Sequence, residues 1–217
     1  MPMNVIDHQM LKLDQMGPAS CNGRGNRDVI SAIDHPSDQQ YLPCPESLID
    51  APEGIVESIK GYETLSYPEA NRKLWFYAPF RRAENTPNRL IIFNDGGAYL
   101  ARGGPLRATK VLDALHHSGE LENTFGIFIQ AGQTSVMPAA SPLASYSENE
   151  AQRSWEYDRL TQDYSVFLSE EVMPLAAQHF DLVWSDSPHD VLLCGISSGG
   201  IAAFTAAWPH PHRFGNV

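Results

Sequence analysis

The segment that most constrains this chain is residues 191–204, VLLCGISSGGIAAF. Four apolar residues run into Gly195-Ile196-Ser197-Ser198-Gly199, and small residues follow. A GxSxG pentapeptide between a buried strand and a helix forms a sharp turn that presents a nucleophilic serine. The serine backbone is strained there, and side chains two residues before and after it would collide with neighbouring chain. Gly195 and Gly199 remove those side chains, and Gly200, Ala202 and Ala203 let the helix pack closely on a sheet. The turn is expected to lift the Ser197 hydroxyl to the carboxyl edge of the sheet, near the positive end of the following helix. The Ser198 N–H could then stabilise a developing oxyanion. The competing interpretation is a Ser/Gly turn without chemistry. Ser198 is the weaker candidate for the nucleophile, because the glycines would then be wrongly placed.

Upstream, strand-like and helix-like runs alternate. IVESIKGYETL and RKLWFYAP are each bounded by turn formers and could pair as a hairpin. RLIIFND is continuously apolar, as a strand buried on both faces of a parallel sheet should be. PLRATKVLDALHHSG places Ala108, Val111, Leu112 and Leu115 at helical spacing and stops at Gly119. TFGIFIQAG reads as another strand, and a long Ser/Pro/Ala loop over 131–152 follows. Tyr157, Leu160, Tyr164, Phe167, Leu168, Val172 and Leu175 predict one long helix over 156–180, kinked or restarted at Pro174. The alternation implies βαβ units, a mainly parallel sheet and helices on both faces.

Residues 1–47 lack periodicity and read as an extended or partly disordered leader, leaving 48–217 as the folded domain. The chain has 217 residues and a formal net charge of -11, with no dense Lys/Arg run, which argues against a nucleic-acid or anionic-membrane surface. Its apolar runs fall far short of the roughly 18–20 residues that span a bilayer. The first residues lack the apolar core of a secretory signal, so the expected location is the cytoplasm. Cys21, Cys44 and Cys194 show no metal-ligand spacing. Cys194 is expected to be a buried small hydrophobe, and a Cys21–Cys44 disulfide is conceivable without support.

A second glycine pair follows RLIIF, in Asn94-Asp95-Gly96-Gly97. In strand-turn-helix hydrolases the second oxyanion donor comes from the loop after an early strand, and Gly97 N–H is the candidate. Alone, the same residues would read as an ordinary Asp-Gly turn.

IIFNDGGAYL, SWEYDRLTQDYSVFLSEEVMPLA and CGISSGGIAAFTAAWPHPHRFGNV together resemble the Putative esterase family, which includes enterochelin esterases, esterase D and mycolyltransferases. The resemblance spans about residues 55–217. It implies an α/β-hydrolase fold with Ser197 as nucleophile and the Gly97 and Ser198 N–H groups as oxyanion hole. It also implies a catalytic acid and then a histidine after the nucleophile. Glu156, Tyr157 and Asp158 belong to a motif that recurs near the site in that family.

Only 20 residues follow Ser197 (217 minus 197), and they hold no family-like acid or catalytic histidine. If 198–208 is helical, His210 lies roughly 20 Å from Ser197, whereas a general base must come within about 3 Å. His116 and His117 end a helix, where a surface role is expected. His8 and His35 lie in the leader, and His179 and His189 flank the loop before the last strand. The cluster Glu148, Glu150, Glu156 and Asp158 is expected to solvate a loop. The expectation is thus a carboxylic ester hydrolase working through a Ser197 acyl-enzyme on a small-molecule ester, without metal or organic cofactor. The chain is read as truncated, lacking the C-terminal strands and inactive as it stands. The strand DVLLCGI should then keep an unpaired apolar edge prone to aggregation. The alternative is a non-catalytic α/β-hydrolase-like fragment or binding protein.

Overall fold

The computed structural model describes residues 51–102, 106–134 and 148–217. The leader, the cysteine pair within it and most of the Ser/Pro/Ala loop lie outside the described residues. Five strands form one sheet: β1 (Ile55–Glu63), β2 (Asn71–Ala78), β3 (Arg89–Asn94), β4 (Thr124–Ile129) and β5 (Val191–Cys194), in the order β1-β2-β4-β3-β5. The hairpin expected of β1 and β2 is present as an antiparallel pair, and β2 also runs antiparallel to β4. The three strands β4, β3 and β5 are parallel. A parallel strand needs a crossover, and the helical segments between them provide it.

Alternation along each strand sorts the core into two layers. Leu90 and Ile92 of β3, with Phe125 and Ile127 of β4, face one cluster; Phe93 and Phe128 face the other, stacked at 4.6 Å between ring centroids. On the second face lie the short helix α1 (Gly97–Leu100) and helix α2 (Ala108–Ser118), through Tyr99, Ala108 and Leu112. The first face is covered by α3 (Glu148–Tyr157), α4 (Asp163–Val166), a π-helical turn (Phe167–Val172), α5 (Met173–Phe180) and α6 (Ser198–Ala207). Helices thus cover both faces of an α/β sheet. Among the described residues no helix is long and apolar enough to cross a membrane.

Four readings from sequence are corrected here. The long helix is a broken one: it begins at Glu148 inside the expected loop, stops at Tyr157, and resumes at Asp163. Pro174, lacking an N–H, sits in the first turn of α5, and the preceding turn widens so that Met173 N–H reaches Leu168 O. Glu156 is buried rather than solvating a loop: its carboxylate takes both Arg72 Nη atoms at 2.8 and 3.0 Å. The apolar edge of β5 is met by the chain end, where Asn216 bridges Leu192 in parallel and its carbonyl accepts Leu193 N–H at 3.0 Å.

The fourth correction concerns α2. It stops at Gly119, whose φ of 81° suits glycine, but its buried face carries Asp113 and His116 beside Ala108 and Leu112, while Val111 and Leu115 are half-buried. Asp113 accepts Gly54 N–H at 2.7 Å, the Tyr77 hydroxyl at 3.0 Å and Arg102 Nη1 at 2.7 Å. His116 Nε2 accepts Thr124 N–H at 3.2 Å, so its proton sits on Nδ1, 2.7 Å from Leu112 O. His117, one residue on, is exposed as expected.

Burial holds His116 below the usual histidine range, against weaker upward pulls from Leu112 O and Asp113. An unfolded histidine protonates near pH ~6.5. Below that pH the unfolded chain binds the extra proton first, so stability falls as pH drops and the loss is complete below the folded pKa. Urea unfolding between pH 7.5 and 5.5 should show this decline, and His116→Gln should flatten it; equal slopes would refute the assignment.

Candidate active site

β3 and β5 are adjacent and parallel, with Phe93 opposite Cys194, so the loops that follow them leave the same carboxyl edge side by side. Ser197 stands at the N-cap of α6 with φ 57° and ψ −127°, and its side chain is exposed. That conformation is costly for a residue with a Cβ, by about 1–3 kcal/mol. The surrounding backbone leaves no slack. A Cβ on Gly195 would lie 2.1 Å from Gly199 O, and one on Gly199 would lie 3.1 Å from Asp95 Oδ2. Gly195 is therefore demanded by close backbone approach, as the sequence pattern predicts, while the close contact at Gly199 is with the end of the Asp95 side chain.

Gly97 is the first residue of α1, as Ser198 is of α6, and the first N–H groups of a helix have no intrahelical acceptor. Both helix starts lie at the edge where Ser197 emerges, and among the described residues neither first N–H has a backbone acceptor. Gly96 N–H is spent on Ile129 O at 2.8 Å, which anchors the glycine pair to the end of β4. A Cβ on Gly96 would strike that same strand at 2.5 Å.

Several residues to which the sequence reading gave no such role hold the two loops together. Asn94, 1% exposed, donates Nδ2 to Gly199 O at 2.8 Å and accepts the Tyr164 hydroxyl on Oδ1 at 2.5 Å. The Asp95 N–H donates to the Tyr157 hydroxyl at 3.4 Å, and the Asp95 carboxylate takes a two-pronged ion pair from Arg153, at 2.8 and 2.7 Å. Burial keeps the Tyr157 and Tyr164 phenols protonated far above the normal range. The recurring Glu-Tyr-Asp motif thus resolves into three parts. Glu156 binds Arg72, Gln152 and Gly132 N–H; Tyr157 braces Asp95; Asp158 accepts the Ser154 hydroxyl at the surface. The one available sequence signal was a polar Asn-Asp pair directly after an apolar strand.

Cys194 is half-buried rather than fully buried, and burial raises its thiol pKa, so it is not poised as a nucleophile. The described histidines lie elsewhere. His116 binds the start of β4, His189 precedes β5, and His210 and His212 follow α6. All four belong to the amino edge, and β5 alone separates the edges by roughly 13 Å at ~3.3 Å per residue. His117 sits beside the Phe80 ring, and His179 pairs with Glu57 on β1, four strand positions from β5.

The strain at Ser197 is measurable. Ser197→Gly should raise stability by about 1 kcal/mol in urea unfolding, since glycine adopts this φ freely. Gly195→Ala should lower it by about 2 kcal/mol through the collision with Gly199 O. Equal stabilities for all three proteins would contradict the turn described.

Comparison with known proteins adds the following. A family model described as Putative esterase matches residues 66–217. No curated protein sequence matches the chain. The enterobactin esterase of Shigella flexneri, solved in the presence of enterobactin, superposes with a TM-score of 0.59 at 19% identity, over 80% of this chain and 39% of that one. The ferric enterobactin esterase of Salmonella typhimurium gives 0.57 at 20% identity, over 80% and 38%. A ferulic acid esterase of the anaerobic fungus Anaeromyces mucronatus gives 0.57 at 14% identity, over 80% and 62%. The chain therefore spans about two fifths of the enterobactin esterases it resembles. At these identities the likeness shows the fold, an α/β-hydrolase-type sheet. The family match over residues 66–217 covers well over half of the sequence, and the chain belongs to the Putative esterase family.

Proposed function

We propose that this chain carries the nucleophile and oxyanion hole of a carboxylic ester hydrolase acting on a small-molecule ester. The observation that carries the reading is the Ser197 conformation, φ 57° and ψ −127° at the start of α6, beside the first N–H of α1 on the neighbouring strand's loop. A backbone this strained is retained where it serves a purpose, and an exposed serine hydroxyl at the start of a helix, next to the loop that carries Gly97, supports a nucleophile.

In this mechanism Ser197 Oγ attacks the ester carbonyl and its proton passes to a general base. The carbonyl oxygen becomes an oxyanion held by Gly97 N–H and Ser198 N–H. The C–O bond to the leaving group then breaks, the base returns the proton to the departing alkoxide, and an acyl-Ser197 ester remains. Water, deprotonated by the same base, attacks that ester, releases the carboxylic acid and restores the hydroxyl. No step calls for a metal or organic cofactor.

No histidine among the described residues is placed to be that base, so the base and the acid that orients it are contributed from outside them. In the family order both follow the nucleophile. The structural relatives are named for enterobactin and ferulate, both small molecules, which supports a small-molecule ester here too.

The test supplies the base from solution. The 217-residue chain should release p-nitrophenolate from p-nitrophenyl acetate slowly on its own. Added imidazole should raise the rate by about 10-fold or more over the Ser197→Ala chain, since an oxyanion hole retains part of its effect when a triad member is lost. A rate identical to Ser197→Ala at every imidazole concentration would reject the proposal and leave a non-catalytic fragment or binding protein.

A further inference from the structure

Asp95 presents a problem that the mechanism above does not address. It sits between Asn94 and the glycine pair, with a left-handed φ of 56°, and its Oδ2 lies 3.1 Å from the position a Cβ on Gly199 would take. A carboxylate is thereby placed against the first turn of α6, beside the N–H groups assigned to the oxyanion. An unneutralised carboxylate there would oppose a second negative charge developing on the substrate. Like charges that close together in a partly shielded site slow charge development by roughly 10- to 100-fold.

Among the described residues a cation is held against that carboxylate. Arg153, on α3, reaches Asp95 through Nε and Nη2 at 2.8 and 2.7 Å, a planar fork that fixes direction as well as charge. The pair is largely shielded, with the two side chains 30% and 22% exposed. Tyr157, one turn further along the same helix, accepts the Asp95 N–H, and the Arg153 guanidinium lies 5.5 Å from its ring centroid. Helix α3 thus grips Asp95 by both its backbone and its side chain. The helix is itself fixed by the buried Glu156–Arg72 pair, so the grip is anchored to β2.

From this geometry we infer that Arg153 is a positioning residue for the oxyanion hole. It cancels the Asp95 charge beside the site and holds the Asp95–Gly97 loop so that Gly97 N–H faces the substrate oxygen. The inference rests on the ester-hydrolase reading given above. Arg153 touches neither substrate nor reacting atoms; it acts through Asp95.

This role makes a prediction in sign that a purely structural ion pair would not. Arg153→Gln leaves the carboxylate bare and should slow imidazole-assisted acylation of Ser197 by about 10- to 100-fold. Asp95→Asn removes the offending charge and should slow it only about 2- to 5-fold, through the lost fork. The double variant Asp95→Asn with Arg153→Gln should match Asp95→Asn alone, and so be faster than Arg153→Gln. A structural role predicts the reverse, with the double variant at least as slow as either single change.

The experiment measures p-nitrophenolate release by the 217-residue chain and these three variants in imidazole, with Ser197→Ala subtracted and urea unfolding run on each protein. Recovery in the double variant, with unfolding midpoints of Arg153→Gln and the double variant alike, supports the inference. Arg153→Gln within twofold of wild type, or a double variant as slow as Arg153→Gln, overturns it while leaving the ester-hydrolase reading intact. A wild-type chain no faster than Ser197→Ala overturns that reading and this inference together.

Discussion

The backbone of Gly195 and Gly199 comes so close that a single methyl on the first would lie 2.1 Å from the carbonyl of the second. Every other feature of the site depends on that contact. It forces the chain to reverse from β5 into α6 within three residues, which drives Ser197 to positive φ. The strain is retained because both arms of the turn are fixed elsewhere. β5 is locked by ladder bonds to β3, and α6 is packed on the sheet through Ala202, Ala203 and Ala206. Alanines at those positions bring the helix near enough for Gly199 O to meet Asn94.

The second constraint is the buried pair of Arg72 and Glu156, both with side chains wholly inside. Desolvating two charges is expensive, and such pairs are weak evidence for stability, though removing one partner commonly costs about 3–5 kcal/mol. Here the carboxylate also accepts Gly132 N–H and Gln152 Nε2, and the guanidinium lies 4.5 Å from the Phe167 ring centroid. The pair therefore does geometric service. It joins β2, the chain just after β4, and α3, and α3 in turn holds the loop after β3. Three loops at the carboxyl edge are referred to one buried carboxylate.

Local chemistry made part of this legible in the sequence. The strands were readable because apolar runs bounded by turn formers have few other uses, and the elbow was readable because two glycines flanking a serine have a steric reason. The helix over 156–180 was misread because Leu160 keeps the apolar spacing across residues 158–162, which are not helical and leave it exposed. Counting apolar positions is also blind to a widened turn. The π-helical segment Phe167–Val172 inserts its extra residue without breaking the apolar stripe. Glu156 looked solvated because its partner lies 84 residues away, a distance that no local pattern encodes. His116 looked superficial for the same reason: its bond to Thr124 N–H depends on where β4 enters the sheet. The β5 edge looked wholly bare because only one isolated bridge, from Asn216 to Leu192, meets it.

Asn94 shows how narrowly such a tertiary demand can specify a side chain. The position faces a carbonyl acceptor, Gly199 O, and a hydroxyl donor, Tyr164, and it is closed to water. An ionised aspartate offers only acceptors, so it would satisfy Tyr164 and set its lone pairs against the Gly199 carbonyl. Leucine would leave both groups buried without partners, at about 1–3 kcal/mol each. A neutral amide presents a donor and an acceptor from one planar head, and asparagine has the reach that a residue ending β3 requires. The bond to Gly199 O also ties the carbonyl at the second residue of α6 to the end of β3. The start of α6 is thus tied to the end of β3 by an amide whose own placement is dictated by β3 and by a tyrosine seventy residues away.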